Sequence, residues 1–124
     1  MKKILIVEDE KLLNEAYTTI LHKEGYEVQP AFDGIEGLAL FDEFKPDLIL
    51  LDLRMPNLDG VGFLKQLDPS KYPKVKIIVF SNYDAQPEID EAFKYGATRY
   101  MLKAYASPLE LAKLVKDTLA NKTK

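Results

Sequence analysis

No cysteine occurs among the 124 residues. That removes a disulfide framework, a thiolate metal site and a cysteine nucleophile, and it fits a reducing compartment, so a cytoplasmic location is expected. Long apolar runs are missing too. The run Ile4 to Val7 is far shorter than the apolar region of a signal peptide, and no later run could span a bilayer, so no membrane partner is expected. Excess positive charge is also lacking: 17 basic residues against 20 acidic ones leave a net charge of −3, the wrong sign for a dedicated nucleic-acid binder. There is no repeat, linker or low-complexity stretch. The single histidine, His22, falls on a helical stretch away from every strand end and reads as a surface or packing residue.

What is there suits one packed domain over residues 1–124. The hydrophobic share of 47% is enough for a core, and the length is ordinary for a domain. Charge is unevenly spread. Residues 1–68 carry 7 basic and 14 acidic side chains, net −7, so an early carboxylate cluster needs a cation or a proton.

Short apolar runs alternate with longer amphipathic stretches. Ile4-Leu5-Ile6-Val7, Leu48-Ile49-Leu50-Leu51 and Lys76 to Phe80 are continuous and not alternating, which predicts strands buried on both faces. Tyr26 to Pro30 reads as an edge strand because of its proline, and Arg99 to Leu102 as the last strand. The first helix is predicted from about Lys11 to Glu24, with Leu13, Ala16, Tyr17, Ile20 and Leu21 inward and Gly25 as its stop. The second runs from about Gly34 to Phe44, carrying Ile35, Leu38, Ala39 and Phe41 inward, and the third from about Val61 to Leu67. A fourth has Ile89, Ala92 and Phe93 inward and ends at Gly96. The last starts at Ser107-Pro108, an N-cap and an N1 proline, with Leu111, Ala112, Val115 and Leu119 as its stripe. Lys113, Lys116, Lys122 and Lys124 read as a solvated face of that helix and tail. Five βα units of this kind imply a doubly wound α/β fold, a parallel sheet covered by helices on both faces. Ligands in such folds gather outside the carboxyl ends of the strands.

Glu8-Asp9-Glu10 follow the first strand, Asp52 the third, Ser81 the fourth and Lys103 the fifth. Each alone has a plain structural reading: acids near a helix start offset the helix dipole, Asp52 could cap a loop, Ser81 could make a turn, and Lys103 could be solvated. Together they describe a site. Asp52 follows four apolar residues and is fixed by a buried strand, and Glu8 and Asp9 would repel it unless a cation intervenes. An all-oxygen site with few protein ligands suits Mg2+, which recruits a phosphate oxygen. Lys103 and Ser81 can cover the remaining phosphoryl oxygens, and an ionised aspartate can be the nucleophile.

Over essentially its whole length the chain resembles the receiver domain of two-component response regulators, through ILIVEDE, DLILLDLRMPNLDG, IIVFS and GATRYMLK. The resemblance implies a flavodoxin-like five-stranded sheet in the order 2-1-3-4-5. It implies that Glu8 and Asp9 bind the cation, with Asp52 and the backbone carbonyl of Arg54 completing the protein ligands. Asp52 matches the phosphoacceptor, Ser81 and Lys103 the hydroxyl and ammonium that hold the phosphoryl group, and Tyr100 the aromatic switch that turns inward when Ser81 moves. The implied activity is a regulatory switch, with no catalysis beyond its own phosphorylation and dephosphorylation. The implied partners are a histidine kinase or histidine phosphotransfer protein, and a downstream protein or second copy. The latter would meet the last helix-strand-helix face around Phe93, Tyr100, Leu109 and Leu114. The chain ends soon after the last helix, so no output domain is expected in it.

Two positions depart from the pattern: Asn82 is bulkier than the usual residue there, and Ala104 replaces the usual proline. Tyr83 and Arg54 stand where access to the acyl phosphate is modulated. A cis Lys103–Ala104 bond would cost about 2.5–4 kcal/mol without proline, so trans is expected. Other classes fit less well. A haloacid-dehalogenase-type phosphatase needs an acid where Arg54 stands. A flavodoxin-like phosphate or flavin binder needs donors where Glu8-Asp9-Glu10 would repel the ligand. A passive pseudo-receiver would have no need of the intact acids and lysine.

Overall fold

Three runs of apolar residues form the middle of the sheet, because only a strand covered on both faces can bury every side chain of a continuous run. The computed structural model describes residues 1–81 and 86–120. The strands are β1 (Lys3–Val7), β2 (Glu27–Ala31), β3 (Leu48–Asp52), β4 (Lys76–Ser81) and β5 (Arg99–Leu102). The helices are α1 (Lys11–Lys23), α2 (Gly34–Phe44), α3 (Gly60–Leu67), α4 (Gln86–Lys94) and α5 (Pro108–Leu119), with single 3-10 turns at Pro69–Lys71 and Lys103–Tyr105. All pairings are parallel and the order is β2-β1-β3-β4-β5. β2 lies at one edge, as its Pro30 predicts.

Period-two alternation splits the apolar runs between two cores. Leu5, Val7, Ile49, Leu51, Ile77 and Val79 face α2, α3 and α4, and Ile4, Ile6, Leu48, Leu50, Ile78 and Phe80 face α1 and α5. Side-chain caps set three helix starts: Asp33 accepts from the Glu36 amide, Asp59 from Gly62 and Ser107 from Glu110. Gly25 ends the first helical stretch at φ +99°, in the region that favours glycine. The peptide bonds among the described residues are trans, Lys103–Ala104 included. Among those residues no helix is long and apolar enough to cross a membrane. Asn82, Tyr83, Lys122 and Lys124 lie outside the described residues.

Four residues expected inside face outward, and the reasons are physical. On α1, Ala16 is exposed while Asn14 is buried, because its amide is fully engaged with backbone carbonyls. On α2, Ile35 and Ala39 are exposed and the inner stripe is Gly34, Gly37, Phe41 and Phe44. A Cβ on Gly37 would lie 3.0 Å from Phe63 Cε1 and 3.1 Å from Val7 Cγ2, so that helix seats itself by lacking side chains. On α4, Ile89 and Ala92 supply the buried stripe and Phe93 is left 44% exposed.

Candidate functional site

Strand register brings the chemistry to one edge. Val7 pairs with Leu51, so Glu8 and Asp52 leave neighbouring strands in step. Asp52 pairs with Phe80, and Ser81 pairs with Leu102, which places Ser81 and Lys103 at the same end. Glu8, Asp52 and Ser81 are buried. Carboxylate oxygens of Glu8, Asp9 and Asp52 lie within 4.8 Å of one another. Lys103 Nζ stands 3.1 Å from Glu8 Oε1 and 3.2 Å from Asp52 Oδ2, donating a hydrogen bond to the latter.

Backbone amides take part of the load. The Glu10 amide donates to Glu8 Oε2 at 2.8 Å, and the Arg54 amide donates to Asp52 Oδ1 at 3.3 Å. Glu8 Oε1 is the exception: it is buried and, among the described residues, has no aligned hydrogen bond despite the nearby ammonium. Burial, then the charge of Asp52, pushes the Glu8 carboxyl up to about 7, against the opposing pull of the Glu10 amide and Lys103. Burial likewise raises Asp52, with Lys103 opposing and Asp9 adding to the rise. Burial pulls Lys103 down, but the charges of Asp52 and Glu8 outweigh it and leave the ammonium above its ordinary value.

Among the described residues, one ammonium therefore serves a cluster of three acids, and one buried carboxylate oxygen has no aligned hydrogen bond. These donors are all oxygen, with neither His nor Cys in the cluster, which fits a hard divalent cation such as Mg2+. Arg54 projects from the segment beyond β3 and its Nε pairs with Glu88 Oε2 on α4 at 3.1 Å. Tyr100 is half-buried against the α2–α3–α4 core, set in register with Val79. A separate cleft of about 480 Å³, lined by Lys65, Tyr72, Lys76, Lys94 and Tyr95 among others, contains none of these acids.

The expected acids, serine and lysine are thus gathered at one sheet edge. Sequence reasoning missed what supports them. Asn14 donates to the carbonyls of Glu8 and Ala31 at 3.0 and 2.9 Å, fixing the end of β1. Gly60 lets α3 abut β3, since its Cβ would lie 2.6 Å from Asp52 O and 2.7 Å from Leu53 Cα. A polar residue among the inward positions of α1 was the available sign for Asn14; for Gly60 it was the Asp59-Gly60 step that closes the DLILLDLRMPNLDG stretch, while its close approach to β3 shows only in the fold.

The family model of the response regulator receiver domain matches residues 4–116. The chain is 33% identical over 117 residues to the chemotaxis protein CheY of Listeria monocytogenes, covering 94% of this chain and 98% of that protein. It is 37% identical over 118 residues to the alkaline phosphatase synthesis transcriptional regulatory protein PhoP of Bacillus subtilis, covering 95% of this chain but 48% of that protein. The chain spans about half the length of several curated relatives it matches. Among solved structures, a CheY-like receiver domain protein from Methanospirillum hungatei superposes with a TM-score of 0.90 at 30% identity, covering 98% of this chain and 95% of that one.

Proposed function

This chain belongs to the response regulator receiver family of two-component signalling, and on that premise we propose that it is a switch set by phosphorylation of Asp52. The observation that carries the reading is the buried Asp52 carboxylate, in contact with Lys103 and within 4.8 Å of two further acids. Asp52 attacks the phosphorus of a phosphohistidine on a histidine kinase or phosphotransfer protein. An O–P bond forms at Asp52 as the donor's N–P bond breaks, its electron pair leaving with the imidazole. Lys103 opposes the rise that burial imposes on the Asp52 carboxyl and then pairs with the phosphoryl oxygens. Ser81 donates its hydroxyl to the same group, and Tyr100 follows Ser81.

Glu8, Asp9, Asp52 and the Arg54 carbonyl would hold Mg2+, which would supply positive charge against the carboxylates and the phosphoryl oxygens. The phosphorylated state passes to a downstream protein or a second copy through the face of α4, β5 and α5. Incubation with Mg2+ and acetyl phosphate should add one phosphoryl mass to the protein, and Asp52→Asn or excess chelator should abolish it. Labelling that persists in the variant, or in chelator, overturns the assignment.

A further inference from the structure

Tyr17 sits in the middle of α1 with 1% of its surface exposed, in a cluster otherwise built of apolar side chains. A phenylalanine would fill the same space, and a buried hydroxyl is costly unless it is bonded. This one is: it donates to Ala106 O at 2.9 Å, across 89 residues of sequence. Ala106 closes the turn that begins at Lys103, its amide donating to Lys103 O at 3.1 Å. That turn has no side-chain cap, and Ala104 and Tyr105 are both exposed.

We propose that Tyr17 is a positioning residue for Lys103, fastening the Lys103–Ala106 turn to α1 so that the ammonium stays between Glu8 and Asp52. Two more contacts point the same way. The Tyr17 ring meets Phe80 edge-on at 5.7 Å and 79°, and Lys103 Nζ lies 5.7 Å from the centroid of that same Phe80 ring. One turn earlier on the same face of α1, Asn14 fastens Glu8. A single helix face therefore sets both sides of the span, the carboxylate from β1 and the ammonium after β5.

The inference rests on the phosphoacceptor reading, which defines what the lysine is positioned for. Tyr17→Phe keeps the ring and removes the hydroxyl. Phosphorylation by acetyl phosphate should slow by about two- to tenfold, the factor set by one hydrogen bond of ordinary net strength. Amide exchange at Ala106 should quicken and the side-chain NMR signal of Lys103 should shift. The same substitution in a Lys103→Ala background should cost nothing further, because the effect runs through the lysine. An undiminished rate, or an equal loss in both backgrounds, overturns the proposal. If the unaltered protein takes no phosphoryl group, the phosphoacceptor reading alone fails. In that case, or if Lys103→Ala leaves no measurable rate, the exchange and NMR results decide, and unchanged values overturn the positioning role.

Discussion

Glu8 is where the cost of gathering the site is concentrated. Between its ordinary value of 4.5 and about 7, the folded chain holds a proton on Glu8 that the unfolded chain releases. The folded state thus binds more protons in that window, so metal-free stability must fall as pH rises through it, by an amount on the order of a few kcal/mol. Asp52 is shifted in the same direction and adds to the fall. The lowered Asp33, bonded by the Glu36 amide and Asn57, acts only below its ordinary 3.8 and leaves the window untouched. Melting curves in chelator should show the midpoint dropping from pH 5 to pH 8. Glu8→Gln should flatten that drop, and Mg2+ should restore wild-type stability most strongly at pH 8. An identical pH dependence in wild type and Glu8→Gln would place the cost elsewhere.

Helix α3 gives the corresponding test for an element. Intrinsic propensity says that Gly60→Ala should stabilise a helix by up to about 1 kcal/mol. Contact says otherwise, because the added methyl meets backbone at Asp52 O and Leu53 Cα, which cannot swing aside as a flexible side chain can. The variant should lose about 1–3 kcal/mol in denaturant unfolding. It should also phosphorylate more slowly, since relief of the clash must move Asp52; a gain in stability would refute this. The same contrast explains what could be read beforehand. Strand order followed from the resemblance, and strand positions from continuous runs such as Leu48 to Leu51, which fit only a doubly covered sheet. Ile35, Ala39 and Ala16 were misplaced because hydrophobicity marks a helix face only where side chains do the packing. On α2 two glycines line that face, and on α1 a hydrogen-bonded asparagine does. The strand-end acids and lysine were legible because parallel register sends every strand terminus to one edge. Their supports, the Asn14 hydrogen bonds and the close approach of Gly60 to β3, depend on spatial contacts that hydrophobic periodicity does not record.

For the molecule as a whole, the sheet separates two cores, and the proposed output face lies on their common border. Phe93, Tyr105 and Leu109 are exposed there at 44%, 70% and 72%, while Tyr100 and Leu114 are partly packed. A non-hydrolysable phosphoryl mimic with Mg2+ should change amide exchange on α4, β5 and α5 beyond the general protection that binding confers on the core strands. Sedimentation should show whether a second copy binds. No change in exchange on that face, with the mimic bound, would refute the coupling. The sheet's two outer strands bear on how copies can meet. Pro30 brings no backbone donor to β2, Glu27 and Gln29 are exposed along it, and β5 has only four residues. Neither border is a long, flat template for another chain, so fibril-like growth by strand addition is guarded against on both sides. Should copies meet through the proposed face, its helices are the surfaces left for it, where contact can be reversible and can answer to a signal.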